Sequence, residues 1–552
     1  MAVTGGTVDM KTAVGFPFPQ GCTVEGQTAN FSVAVPEGQT CELIIYKKGA
    51  RTSAFSQKMP YSDVAGNLHF LSVVLEQPED YEYCYKIGGK IVPDPYGKAF
   101  SGREHWSVSK GKEKRKLRTR IVTDTFDWGK SQFPHLKKED VIAYSLHVRG
   151  FTKDTHSKVK NKGTFQGVIE KIPYLKDLGI NQIQCMPVYE FEEAGMRVNY
   201  WGYGPGYYFA PKSAYAKDGD GVKGLKDLVK YCHKAGIEVV LEMPFAEGIS
   251  GLMVTDCLRN YVMEYHVDGF ILNPYNVPMD IILKDPILSG VRILRHAEEF
   301  QNVMRRFLKG DEGVVTDVMY QTRKRWDLEG IYNCITTHTG FTLKDLVSYD
   351  GKHNEANGEN NQDGPDYNYS WNCGAEGLTR KKAVLELRKN QMRNALFLLL
   401  LSQGVPCILA GDEFANSQKG NNNVYCQDNP IGWLNWRNLL KEQEMYQFVK
   451  QLIKFRKKYR LFHQEKELLG IDQSGCGIPD VSYHGEMAWR ASTEVASRQI
   501  GIYYSSQDKE EADCFVAYNM HWLEHEFALP ALKKGRKWYR AASTKEGILK
   551  DL

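Results

Sequence analysis

From about residue 140 to residue 414 the chain alternates short apolar runs with amphipathic stretches, and this rhythm limits the possible folds more than any other feature. The apolar runs are VIAYSLHV (141–148), NQIQCMPV (181–188), IEVVLEMPF (237–245), DGFILNP (268–274), GVRILR (290–295), YNCITTHTG (332–340) and VPCILAGDEF (405–414). Between them lie FQGVIEKIPYLKDLG (165–179), GLKDLVKYCHKAG (224–236) and NQMRNALFLLLLSQG (390–404), whose apolar residues recur at helical spacing. Strands alternating with helices over this length make parallel βα units. A closed (β/α)8 TIM barrel of the α/β class is the fold that buries them. The stretch between residues 296 and 331 is less regular, and no sixth strand can be assigned there.

Both flanks have a different pattern. TANFSVAVP (28–36), CELIIYKKG (41–49), LHFLSVVL (68–75) and DYEYCYKIGG (80–89) read as short antiparallel strands, so residues 1–125 are expected to form an N-terminal β-sandwich. Its last part, PDPYGKAF (93–100) through DWGKSQFP (127–134), reads as linker and loop. The barrel is assigned to residues 126–460. A C-terminal β-sandwich is assigned to 461–552 from MAWRAS (487–492), QIGIYYSS (499–506), CFVAYNMHW (514–522) and HEFALP (525–530). A chain of 552 residues is too long for one core, which agrees with three parts.

The formal charge of +4 is small for this length and points to neither nucleic acid nor membrane as a partner. The basic run KGKEKRKLRTR (Lys110–Arg120) reads as a solvated segment between domains. No secretory signal is visible at the N-terminus, and no apolar run is long enough to span a bilayer. The twelve cysteines are scattered singly, which suits free thiols in a reducing cytoplasm. No clustered His/Cys ligands or calcium-loop spacing calls for a metal, and no cofactor is implied.

Several longer motifs carry a family resemblance. They are AYSLHVRGFT (143–152), YLKDLGINQIQCMPVYEF (174–191), NYWGYGPGYYFAPKSAYA (199–216), HTGFTLKDLVSYDGKHNEANGENNQDG (338–364), SWNCGAEG (370–377) and SQGVPCILAGDEFANSQKGNNNVYCQDN (402–429). Together they resemble glycoside hydrolase family 13, in its glycogen-debranching and isoamylase branch. By the same resemblance the N-terminal part is similar to carbohydrate-binding module family 48. The likeness implies retaining cleavage of α-1,6 bonds in glycogen or starch. That chemistry needs a nucleophilic carboxylate and a protonating carboxylic acid about 5–5.5 Å apart. The resemblance adds a third carboxylate and an arginine beside the nucleophile.

The matching positions carry other residues. The family's fourth-strand Gly-Phe-Arg-Phe-Asp is here Gly269-Phe270-Ile271-Leu272-Asn273, so Ile271 stands for the arginine and Asn273 for the nucleophile. The fifth strand places Arg295 or His296 where the acid belongs, and Thr339 follows His338 in place of the third carboxylate. The third-strand motif keeps Glu242 for its Asp but has no His. An amide is a poor nucleophile and carries no charge to stabilise an oxocarbenium ion. Losing arginine and carboxylate together is physically coherent, because stranding one half of a buried ion pair costs roughly 3–5 kcal/mol. Deamidation of Asn273 is disfavoured, since Pro274 lacks the backbone N–H the succinimide route needs.

Four residues remain as sugar-binding candidates: Trp201 and Tyr203 in YWGYGPG, read as a Gly-rich surface loop with a stacking platform, together with His338 and Asn273. His296 reads as a lone polar residue at a strand end. Glu242, Asp268 and Asp285 lie near strand ends and could be proposed as relocated acids. Asp268, however, precedes its strand at the wrong face for a barrel site, and Glu242 sits too deep or too far around the barrel to pair with Asp268. Glu298 and Glu299 are the better candidates for such rescue. The sequence therefore describes an α-glucan-binding relative of isoamylases without hydrolytic chemistry, acting alone or beside an active debranching homologue. A weakly active α-1,6-glucosidase and a purely structural protein are the alternatives.

Overall fold

The computed structural model describes residues 10–106, 117–123, 126–506, 511–532 and 535–548. At the N-terminus two antiparallel sheets face each other. One has the order Thr12–Ala13, Leu68–Val74, Thr28–Ala34, Gly21–Glu25. The other runs Phe55–Lys58, Cys41–Lys47, Tyr81–Ile87, Arg118–Arg120, Phe100–Ser101, with Lys90–Val92 also on Tyr81–Ile87. Alternate residues point inward, so Ala29, Phe31 and Val33 meet Leu43, Ile45, Tyr83 and Tyr85 in one core. The tyrosine alternation at 81–85 is therefore core packing, with the Tyr83 hydroxyl donating to buried Asp94 at 2.7 Å.

The segment read as linker contributes strands to this sheet. Thr119 pairs with both Tyr83 and Phe100, and burial of Phe100 holds the two short strands in place. Of the basic run, Lys110–Lys116 lie outside the described residues, whereas Arg118–Arg120 are strand. Trp106, just before the undescribed part, is packed as well. It stacks on Tyr215 at 5.7 Å with an interplanar angle of 8° and lies under the Arg149 guanidinium, where the sandwich meets the barrel.

The barrel's parallel sheet has the order Arg292–Leu294, Gly269–Ile271, Glu238–Glu242, Gln182–Cys185, Ala143–Leu146, Cys407–Leu409. Its strands are almost wholly buried because helices cover one face and the barrel interior the other, so apolar residues run on where a half-exposed sheet would alternate. Helix Gly221–Lys234 is capped by Asp220, whose carboxylate accepts from the Lys223 N–H at 3.2 Å. At the end of the barrel where strands begin, Arg292 grips Glu238 through two bonds of 2.7 and 2.8 Å.

This is the TIM-barrel fold with flanking sheet domains. Among the described residues no strand lies between Leu294 and Cys407. Helix Glu299–Lys309 leads through a turn directly into helix Val315–Arg323. Residues 330–333 then close the ring: Arg295 N–H donates to Gly330 O, Asn333 N–H to Val405 O and Cys407 N–H to Asn333 O, each at 2.8 Å. The difficulty of assigning a sixth strand thus has a structural cause.

Beyond the barrel, Val481–His484, Gln499–Tyr504 and Cys514–Asn519 form an antiparallel sheet, and Ala542–Ser543 pairs with Gly547–Ile548. Ile500, Ile502, Tyr504, Val516 and Tyr518 belong to the same apolar core as the barrel residues, while the N-terminal sandwich has its own.

Candidate functional site

The C-terminal ends of the barrel strands surround a pocket of about 1410 Å³. Trp201, Tyr203, Ile271, Asn273, Arg295, His296, His338 and Thr339, every position singled out from the family motifs, line it. Glu242, Glu298, Glu299, Glu359 and Asp363 line it too. Asp268 and Asp285 lie elsewhere. Asp268 accepts from Val239 N–H and meets His233 at 2.8 Å near the opposite end of the strands, and Asp285 holds Arg259 and caps Leu288.

One expectation needs correction. Glu242 does not pair with Asp268, but His296 is not alone: His296 Nε2 lies 3.2 Å from Glu242 Oε1. The ring closes so that the end of Glu238–Glu242 and His296, two residues after Arg292–Leu294, face one another across the pocket floor. Tyr203 completes the group, its hydroxyl 2.5 Å from Glu242 Oε1 and 2.7 Å from His338 Nε2. A phenol has one proton, so when it is given to Glu242 the tyrosine oxygen accepts from His338 Nε2–H. The result is a continuous chain from His296 through Glu242 and Tyr203 to His338.

Electrostatics fix the charges in that chain. Burial alone would raise the Glu242 carboxyl, but His338, His296 and the Tyr203 hydroxyl hold it down to about 2. Burial depresses His338 and favours its neutral form. His296 shifts the other way: burial would lower this imidazole, but its bond and attraction to Glu242 raise it above 6.5, so the pair favours a protonated His296 beside an ionised Glu242.

The remaining positions are occupied locally. Ile271 packs with Val240 and Leu294 in an apolar cluster, and Tyr332 leans against it. The Asn273 side-chain oxygen accepts from Tyr275 N–H at 3.1 Å, a turn contact within its own loop. Thr339 meets Thr337 at 3.1 Å between hydroxyls. Glu359 is bonded by Arg197 and the Tyr425 hydroxyl, and Asp363 by the Asn357 and Asn423 amides at 2.7 and 2.9 Å. Glu298 and Glu299 are exposed at the start of their helix. Among the described residues no group of three or more His, Cys, Asp or Glu is placed to hold a metal.

The loop 200–206 is more buried than a surface platform. Trp201 is 7% exposed and meets His338 edge-on at 5.0 Å. Its glycines serve close approach: Gly202, at φ +85°, would place a Cβ 2.4 Å from the Phe191 ring. Gly-richness signalled a tight turn, and the neighbouring ring that made it tight lies elsewhere in sequence.

Comparison with known proteins agrees with this architecture. Residues 147–245 match the α-amylase catalytic domain. The chain is 31% identical over 585 residues to "Isoamylase 3, chloroplastic" of Oryza sativa subsp. japonica, covering 84% of this chain and 73% of that one. The chain belongs to the isoamylase branch of glycoside hydrolase family 13. It is also 31% identical to "Isoamylase 1, chloroplastic" of Arabidopsis thaliana over 674 residues, covering 95% of this chain and 84% of the other. That alignment is longer than this 552-residue isoamylase relative, so the plant protein carries segments that are absent here. Among solved structures, pullulanase from Paenibacillus barengoltzii in complex with maltohexaose and α-cyclodextrin superposes with a TM-score of 0.71 at 17% identity, over 94% of this chain and 91% of that one.

Proposed function

We propose that this isoamylase-family protein binds α-glucan in the barrel-mouth pocket without hydrolysing it, and acts beside an active debranching homologue. Residues 1–125, 126–460 and 461–552 would be its carbohydrate-binding sandwich, pocket-bearing barrel and terminal sheet. The observation that carries the reading is the state of Glu242. It is the buried carboxylate at the pocket floor, and it is already ion-paired with His296 and bonded by Tyr203. Retaining cleavage needs two carboxyl groups facing each other about 5–5.5 Å apart. Across from Glu242 the motif positions offer the Asn273 amide, the Arg295 and His296 cations and the Thr339 hydroxyl. Ile271, set among Val240 and Leu294, leaves no place for a charged arginine.

Trp201, Tyr203, His338 and Asn273 would contact sugar, in a pocket whose counterpart fold in a pullulanase was solved with maltohexaose and α-cyclodextrin. The twelve cysteines are unpaired, and a reducing compartment such as the cytoplasm suits them. No described helix is long and apolar enough to cross a membrane.

One observation favours weak hydrolysis as a second reading: Glu298 and Glu299 line the same pocket as His296. Loss of a catalytic group typically lowers the rate by about 10⁴ or more, so such activity would be small. The test pairs two assays on purified protein. Reducing-end release from glycogen and pullulan is expected to stay at background, and glycogen in a native gel is expected to retard wild type but not Trp201→Ala. Release that Glu298→Gln or Glu299→Gln abolishes would establish the hydrolytic reading instead. Absence of retardation would leave a structural role.

A further inference from the structure

At the opposite end of the barrel from the mouth pocket, a cavity of about 290 Å³ lies where the first two strands begin. Glu139 and Asp140, in the turn before strand Ala143–Leu146, form one side, with Asn181 at the head of Gln182–Cys185. Arg456 and Lys457, in the last turn of helix Gln443–Lys458, form the other side with His463 just beyond them. The space is roughly ten times a water molecule's share of the liquid.

Some of these groups are spent on the fold. Arg456 Nη1 donates to Leu400 O and Ser402 O at 2.8 and 2.7 Å, and Nη2 to Gly404 O at 2.6 Å. Lys457 Nζ donates to Gly179 O at 2.5 Å, and the Asn181 amide joins Ile142 N–H to Asp140 O. Three groups are left over among the described residues. Arg456 Nε–H and His463 Nε2 are buried without a partner. The carboxylate of Glu139, a residue 7% exposed, has none either. Asp140 Oδ1 faces the other ring nitrogen of His463, 3.3 Å from Nδ1, which leaves Nε2 as the open position of the imidazole. A buried polar group left unpaired costs roughly 1–3 kcal/mol, so three meeting at one cavity call for an occupant that pairs with all of them.

Their chemistry describes that occupant. Arg456 only donates, an ionised Glu139 only accepts, and an imidazole does either. The surroundings are cationic: burial and then Arg325 push Arg456 down to about 9, burial and then Lys176 lower Lys457, and burial and then Arg456 lower His463. An anion suits that field, but a fully deprotonated one has nothing to give the Glu139 carboxylate. Phosphate meets both demands. Its bare oxygens accept from Arg456 and His463 while a P–OH donates to Glu139. Sulfate has the same shape and no proton to donate.

We propose that this cavity is a binding site for a phosphate group, free or carried on a sugar, read by Arg456, His463 and the Glu139 carboxylate. The site is independent of the α-glucan reading, because the mouth pocket lies at the other end of the strands.

Titration calorimetry of the full chain at about pH 6, where inorganic phosphate and a large part of its monoesters keep a P–OH hydrogen, tests it. Wild type is expected to bind inorganic phosphate saturably and sulfate about a hundredfold more weakly or worse, since a site built to pair with a ligand O–H rejects the analogue that lacks it. Glu139→Gln supplies an amide donor in place of the acceptor and should bring sulfate up to phosphate. His463→Phe should weaken phosphate binding, and serves if Glu139→Gln does not fold. Competition by glucose 1-phosphate would assign the group to a sugar ester, and phosphate binding without such competition to the free anion; either result supports the site. Absence of saturable phosphate binding by wild type, leaving the cavity to water, overturns it. So does equal affinity for sulfate and phosphate in wild type, or unchanged phosphate binding by folded His463→Phe.

Discussion

The pair Glu242–His296 makes a definite prediction about pH. An imidazole raised above 6.5 by its partner contributes stability fully below 6.5 and loses it as pH rises through the raised value. A carboxyl depressed from 4.5 contributes above 4.5 and loses that contribution as pH falls toward about 2. The pair therefore contributes most between pH 4.5 and 6.5. His296 is 53% open to the water of the pocket, so screening keeps its share to about 1 kcal/mol. Urea unfolding of wild type and His296→Ala should show the widest stability gap near pH 5–6, closing at alkaline pH. A gap independent of pH would mean that His296 acts through packing alone. Individual motif residues were legible one by one, but this pair was not. The two stand 54 positions apart and meet only because the ring closes between two different strands.

At the level of elements, what the sequence disclosed followed the length of each pattern. Helices Gly221–Lys234 and Lys382–Leu400 were readable because their apolar spacing repeats over several turns. Phe100–Ser101 and Arg118–Arg120 are too short to show alternation, and the pairing of Thr119 with Tyr83 on one side and Phe100 on the other makes them strands. Conversely, MAWRAS alternates like a strand yet supplies only the isolated bridge Met487–Arg490, because Trp489 takes φ +65° and turns the chain. The loop 200–206 belongs with the second group, its conformation dictated by a ring outside it. Gly202→Ala would meet both a φ of +85° and a 2.4 Å approach to Phe191. The expected loss is about 2 kcal/mol or more, from strain and overpacking together. Gly204→Ala isolates the first component, since Gly204 shares a positive φ but has nothing within 4 Å of its Cβ direction. Urea midpoints should rank wild type, Gly204→Ala, Gly202→Ala in falling order, and equal losses would remove the Phe191 contact from the account.

For the molecule as a whole, the changes of rhythm near residues 140 and 461 indicate three parts, but sequence carries no sign of which parts share a core. The terminal sheet has only three main strands, too few to be stable without something to cover its apolar face. The barrel supplies that cover. Tyr504 packs on Phe462 at 5.3 Å, and the Tyr504 and Tyr518 hydroxyls donate to Leu401 O and Phe397 O at 3.3 and 3.4 Å. Ile500, Ile502 and Val516 are buried in the same core, each worth roughly 1.5–3 kcal/mol. The N-terminal sandwich instead closes around Phe31, Leu43, Ile45 and Tyr83 and touches the barrel through contacts such as Arg103 with Glu192. Calorimetry should therefore resolve two unfolding transitions, a smaller one for the sandwich and a larger one for barrel and terminal sheet together. Ending the chain at residue 480 should abolish the larger transition, because the helix Lys382–Leu400 would lose its cover and expose the barrel core behind it. Removing residues 1–125 should leave that transition in place, somewhat lowered. A chain ending at 480 that still melts cooperatively would mean the terminal sheet rests on the barrel without supporting it.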